Sequence, residues 1–112
     1  MYHVLDIRHY VTSAGRDVFD DWLTRLQDAR AQAKIATRIN RLAFGNFGDC
    51  KSLGSGLFEL RIDWGPGYRV YYAIIGKECV LLLCAGDKRK QSAGITRARQ
   101  YLQDYQERTT IT

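Results

Sequence analysis

Two runs of alternating apolar and polar residues face each other across a Gly65-Pro66-Gly67 turn. Phe58, Leu60 and Ile62 alternate with Glu59 and Arg61 on the first arm, and Val70, Tyr72 and Ile74 with Arg69 and Tyr71 on the second. A period of two predicts a half-buried antiparallel hairpin. With residues 63–67 as the loop, Ile62 pairs with Tyr68, Leu60 with Val70 and Phe58 with Tyr72, which places both apolar rows on one face. Arg61 then stands opposite Arg69, and Glu59 opposite Tyr71. Upstream, Val4 and Asp6 alternate against Leu5 and Ile7, which predicts a first strand within residues 2–9. Thr12 and Ser13 are helix-start residues, and Phe19, Trp22, Leu23 and Leu26 follow at the spacing of one helical face. Asp28 caps a second helix with a stripe of Ile35, Ile39 and Leu42, joined by Ala36 and Ala43 and ended by Gly45-Asn46 and Gly48. A short strand at Lys51–Leu53 and a turn at Gly54-Ser55-Gly56 lead into the hairpin. Gly76-Lys77 forms a further turn. Residues 79–85 are apolar on both faces, as a covered central strand requires. A last helix starts near Ser92 and buries Ile95, Ala98, Leu102 and Tyr105, with a frayed tail from Arg108. The order β-α-α-β-β-β-β-α predicts an α+β fold, a twisted and mostly antiparallel sheet packed against helices. At 112 residues the expectation is a single domain, 1–112.

Charge narrows the partners. A net charge of +5 and a pI near 9.3 favour nucleic acid or another polyanion, although a merely basic soluble protein would show the same balance. Three cysteines, an odd number, argue against a disulfide framework. Cys79 and Cys84 sit five apart on one strand, so they point to opposite faces and share no metal. Buried thiols in a reducing compartment fit better. His3 and His9, in or beside the first strand, read as structural. No apolar stretch has signal-peptide or bilayer-spanning length, so a cytoplasmic protein without a membrane partner is expected.

The polar face of the hairpin carries the chemistry. Two guanidinium groups directly opposite each other repel, so truncating Arg69, the like-charged neighbour of Arg61, is expected to relieve strain, and a phosphate fits the arginine fork well. A turn at Gly76-Lys77 sets Tyr71 against Leu82 and Arg69 against Cys84, and delivers Lys88 to the arginine side. A turn at residues 54–56 sets Lys51 against Glu59. One face thus gathers Lys51, Glu59, Arg61, Arg69, Tyr71 and Lys88, with Arg89 and Lys90 close behind. There is no Ser-His-Asp set, no histidine placed to activate Cys84, and no nucleotide-cradling glycine loop. A cationic cluster with one carboxylate and one tyrosine suits either of two tasks. It can stabilise charge on phosphorus while the 2′-hydroxyl of RNA attacks, without metal or cofactor, or it can bind phosphate without cutting. Of the two lysines Lys88 is expected to be the better base, because Arg61 and Arg69 disfavour a charged ammonium beside them; Lys51, opposite Glu59, is mainly a positioning group, and Glu59 a base should Lys51 lie far away. On the second helix Arg30, Lys34, Arg38 and Arg41 form a stripe opposite Ile35, Ile39 and Leu42, either a solvated face or a polyanion contact.

The run Glu59-Leu60-Arg61, then Gly65-Pro66-Gly67-Tyr68-Arg69-Val70-Tyr71, then Gly86-Asp87-Lys88 with Gln91, closely resembles the RelE/ParE toxin superfamily. The nearest branch is the HigB-like, phage Gp49-like addiction module killer proteins. Phe19 with Trp22-Leu23, and Gly45-Asn46 with Gly48-Asp49, match as well. The resemblance implies a RelE-like fold and a type II toxin that cleaves mRNA on the translating ribosome. A cognate antitoxin, often a helix-turn-helix protein, would neutralise it. Residue by residue, Arg69 matches the hairpin arginine of the family, Arg61 and Lys51 fall near its strand lysines, and Lys88 or Arg89 matches its basic residue after the last strand. Arg30, Lys34, Arg38 and Arg41 are then expected on ribosomal RNA, with Arg89 and Lys90 also binding RNA. One departure stands out. No tyrosine lies around Gly94-Ile95, where Gly94 itself replaces a frequent aspartate; Tyr101 and Tyr105 come later, and either Tyr71 substitutes or proton transfer is arranged differently. The alternatives are a ParE-like inhibitor that binds DNA gyrase, and an inactive toxin homologue.

Overall fold

The computed structural model describes residues 4–110. Its elements are β1 (Asp6–His9), α1 (Val18–Arg25), α2 (Ala29–Ala43), β2 (Cys50–Gly54), β3 (Leu57–Ile62), β4 (Tyr68–Ile75), β5 (Cys79–Asp87), a 3-10 turn at Lys88–Lys90 and α3 (Gln91–Thr109). The strands form one sheet in the order β1-β5-β4-β3-β2. β1 runs parallel to β5, and the other pairs are antiparallel. The expected α+β architecture with a mostly antiparallel sheet is the one observed. Residues 2 and 3 of the expected first strand lie outside the described residues; the strand itself begins at Asp6.

The two sheet faces have different covers. Phe19 of α1 and Ile35, Ile39 and Leu42 of α2 pack on Leu60, Ile62, Val70, Tyr72, Val80 and Leu82. On the reverse face Ala98 and Leu102 of α3 pack on Leu57, Tyr71, Ala73, Leu81 and Leu83. β5 is apolar on both faces for this reason, since it lies inside the sheet with helices above and below. Ile95 and Tyr105 are only partly buried against the second layer. α3 stays helical through Thr109, past the expected fraying at Arg108.

The hairpin register matches the alternation pair for pair, from Phe58 opposite Tyr72 to Arg61 opposite Arg69. Two expectations needed correction. α1 starts at Val18 with Asp17 as its N-cap, and not at Thr12 or Ser13. Those two residues open a tight turn in which the Gly15 and Thr12 N–H groups donate to the Thr12 and Arg16 carbonyls. Gly15 takes φ of 84° there, and Val11 bridges back to Asp17. The local hydrogen bonds of a Ser/Thr turn outcompeted helix initiation. The second correction concerns β4 and β5. Their loop spans residues 76–78, so Ile75 faces Cys79, and a bulge near Tyr71 and Tyr72 shifts the ladder again. Tyr71 therefore faces Cys84 rather than Leu82, and Arg69 faces Gly86 rather than Cys84. Both slips run the same way and sum to an even number, so the expected parity survives. Lys88 still leaves β5 on the arginine side.

Candidate functional site

Glu59 organises the polar face. Its side chain is fully buried, and both of its oxygens are engaged. Oε1 accepts from Arg61 Nε at 3.0 Å, and Oε2 accepts from Gln91 Nε2 at 2.8 Å. Arg69 Nε lies 3.7 Å from Oε1, too far for a hydrogen bond, and is the one buried side-chain nitrogen among the described residues without a partner. Arg69 Nη1 donates to the Tyr68 carbonyl at 3.1 Å. The repulsion between the opposed arginines is thus met by one carboxylate from β3, the strand of Arg61; it lies 3.0 Å from Arg61 and 3.7 Å from Arg69 of β4. That arrangement fixes both guanidinium groups, with side-chain exposures of 33% for Arg61 and 11% for Arg69. Arg69 is consequently much less open than its place on the polar face suggested.

Above the pair is a cleft of about 360 Å³ between the hairpin loop and the end of β5. Arg61, Arg69 and Lys88 line it together with Asp49 and Asp63, and residues 65–67 form its lip. The loop is tied to β5 by the Lys88 N–H, which donates to the Gly67 carbonyl at 2.8 Å. Gly67 adopts φ of +83°, and a Cβ there would sit 3.4 Å from Lys88 Cβ. The left-handed φ is what favours glycine here, since the contact itself would be an ordinary one.

The remaining expected site residues sit elsewhere. Lys51 faces Glu59 in the register, yet it is exposed and outside the cleft lining, while Glu59 is held by other groups. Tyr71 is 1% exposed and turns toward α3, where its hydroxyl donates to the Gln91 carbonyl at 3.4 Å. Burial, then the Glu59 charge, raises its phenol far above the usual range, so it neither reaches the cleft nor ionises readily. Gly94 leaves room for this ring, because a Cβ at that position would lie 2.7 Å from Tyr71 Cε2. Arg89 folds back on Asp87 at 3.3 Å; the bond from its guanidinium leads the causes that lower the Asp87 carboxyl below the ordinary range. Lys90 lines a separate depression with Arg16, Arg25 and Arg97 between α1 and α3.

The α2 stripe proves more integrated than a free row of cations. Arg38 donates from Nη1 to the Arg61 carbonyl at 2.7 Å and from Nη2 to the Asp49 carbonyl at 3.3 Å. Gly48 makes room for it, since a Cβ there would meet Nη2 at 2.9 Å. The Lys34 ammonium sits 4.5 Å from the centre of the Trp64 ring, whose indole N–H donates to Asp28 at 3.1 Å. Arg30 and Arg41 are exposed. Gln91, Asp49 and Asp63 were missed as site residues. Gln91 and Asp49 fell inside quoted motifs, but a glutamine amide and an isolated acid carry no spacing signal of their own.

An open sheet whose polar corner presents paired arginines over a buried glutamate is a RelE-like fold with an anion-suited cleft. Comparison with known proteins agrees. The family described as Phage derived protein Gp49-like matches residues 21–103. An uncharacterized protein of Haemophilus influenzae (strain ATCC 51907 / DSM 11121 / KW20 / Rd) is 54% identical over 86 residues, which cover 77% of this chain and 87% of that relative. The chain belongs to the Gp49-like family of the RelE/ParE-like toxin superfamily. That superfamily supplies toxins of toxin–antitoxin systems, and membership implies an antitoxin partner. No helix among the described residues is long and apolar enough to cross a membrane.

Proposed function

We propose that this protein is a cytoplasmic toxin that cleaves mRNA on the ribosome and is silenced by a cognate helix-turn-helix antitoxin. The observation that carries this reading is the Arg61–Arg69 pair, anchored from below by Glu59 and opening with Lys88 into one cleft. Preorganised cations of this kind stabilise the charge that builds on a pentacoordinate phosphorus. The RNA 2′-oxygen attacks the adjacent phosphorus and the bond to the 5′-oxygen breaks, leaving a 2′,3′-cyclic phosphate and a 5′-hydroxyl. Arg61 and Arg69 hold the nonbridging oxygens. Because Asp49 and Asp63 line the cleft beside Lys88, the base role expected of Lys88 passes to one of these exposed carboxylates, which takes the proton from the 2′-hydroxyl, and the Lys88 ammonium gives one to the departing 5′-oxygen. Glu59 and Tyr71 are positioning residues, the first for the arginines and the second for the start of α3. Lys51, Arg89 and Lys90 contact RNA outside the reacting centre, and Arg30 meets ribosomal RNA. This chemistry needs no metal or cofactor.

The decisive experiment maps mRNA ends in cells after brief expression. Cuts inside translated codons, with 5′-hydroxyl ends, are expected. DNA breaks with intact message would instead establish a ParE-like gyrase inhibitor, and growth without either lesion an inactive homologue.

A further inference from the structure

The cleft does not end at the hairpin loop. Asp63, on its wall, also lines a second depression of about 440 Å³ that runs along α2 past Lys34, Arg38 and Arg41. The two hollows share that residue, and Arg38 joins their walls by donating to the Arg61 and Asp49 carbonyls, which neighbour each other through the Arg61 N–H bond to Asp49. Carbonyl acceptors leave the guanidinium charge uncancelled. Three cations therefore face one carboxylate along this groove. From Lys34 to Arg41 they span roughly 10 Å at the helical rise. Trp64 lines neither hollow, but it follows Asp63 in the chain, its indole N–H donates to Asp28, and its ring lies 4.5 Å from the Lys34 ammonium of the groove. A basic groove with an aromatic ring beside it is the usual form of a single-strand track.

We infer that the α2 groove is the exit track for the message strand that occupies the cleft, and not a separate contact for ribosomal RNA. The inference rests on the endoribonuclease reading above. A surface devoted to ribosomal RNA has no reason to open into the cleft, whereas a strand lying over Arg61 and Arg69 meets Asp63 and then Lys34 as it leaves. Backbone phosphates would lie along Lys34, Arg38 and Arg41, and a base beside Trp64. Such contacts position the strand and read no sequence.

The test uses ribosomes programmed with a message that carries a 2′-deoxynucleotide at the cut, which removes the nucleophile, and 4-thiouridine at flanking positions. After irradiation, the expected crosslinks join the message to α2 residues 34–41 or to Trp64. In parallel, changing Lys34 and Arg41 together to glutamine should raise KM for programmed ribosomes about tenfold and reduce its salt dependence, as the loss of two phosphate contacts predicts, while kcat stays the same. Message crosslinks that reach the protein elsewhere and miss α2 and Trp64, or an unchanged KM, would overturn the track. Loss of antitoxin binding with KM unchanged would overturn it too, and would assign the groove to that partner. Failure of the underlying reading looks different: the native protein would leave the ordinary ribonucleotide message uncut.

Discussion

A single buried carboxylate changes what the arginines mean. Seen as a like-charged pair, Arg61 and Arg69 predict that removing one stabilises the protein. With Glu59 fully buried between them, truncation instead leaves a buried charge short of a counterion. Arg69→Ala should therefore lose about 1–3 kcal/mol of stability in urea melts, because Arg61 and Gln91 still hold the carboxylate. It should also lower the cleavage rate by roughly 10²–10³. A more stable variant that still arrests growth would remove Arg69 from the site. Tyr71 makes the opposite case. Its hydroxyl contributes one long bond to the Gln91 carbonyl, so Tyr71→Phe should cut RNA at close to the native rate. Gly94→Ala pushes a methyl into the Tyr71 ring. It should cost about 1–3 kcal/mol through overpacking, and replacing Tyr71 by a smaller residue should rescue it. A large loss of cleavage in Tyr71→Phe at native stability would return the phenol to the chemistry.

The elements that the chain spells most plainly are those whose local and tertiary signals agree. The β3–β4 hairpin has apolar alternation, a glycine-rich loop and two buried rows that permit one register, and Asp28 caps α2 from the position its side chain suggested. Legibility fails where a local hydrogen bond or a single inserted residue decides. Thr12 carries a helix-start signature but spends it on a turn, and the bulge near Tyr71 has no signature because every residue around it is apolar. Burial depth was hidden as well. Glu59 and Arg61 alternate with apolar neighbours as surface residues do, and only the placement of α3 shows that one of them is sealed. The loop offers an element-scale test. Gly67→Ala would force a side chain into a left-handed conformation, in van der Waals contact with Lys88, at a cost of about 1–2 kcal/mol. The Lys88 N–H bond to residue 67 would be disturbed with it, so cleavage should fall further than stability alone explains. If activity merely follows the folded fraction, the tie between loop and Lys88 is not part of the site.

On the scale of the whole molecule, the two core layers place several acidic protons where they cannot easily leave. Burial, then the bond to Asp104, pushes Tyr10 up to about 12; this ring also locks β1's exit to α3, stacking 5.0 Å from Tyr101 with Arg108 above it. Burial pushes the Cys84 thiol to about 12 and raises Tyr71 and Tyr72 further still. Each of these groups is more readily ionised in the unfolded chain, at its ordinary value of 9.0 for the thiol and 10.0 for the phenols. A raised folded value means that the stabilisation is fully present below the unfolded value and is lost as pH climbs toward the folded one. The lowered carboxyls of Asp87 and Asp104 act in the opposite sense, and their contribution disappears only as pH falls below the ordinary carboxylate range. Thermal stability should thus hold a plateau between roughly pH 5 and 9 and decline steadily above it. On the alkaline side, tyrosinate absorbance from Tyr10, Tyr71 and Tyr72 should appear together with the loss of helical circular dichroism, because these phenols ionise only when the layers separate. Replacing Cys84 with alanine should make the first part of the decline shallower without abolishing it, since the Cys79 thiol, also raised by burial, keeps the same unfolded value of 9.0. Tyrosinate from Tyr10 and Tyr71 appearing while the helices remain intact would mean that the layer under α3 opens locally, whereas Tyr72 would report the layer under α1 and α2.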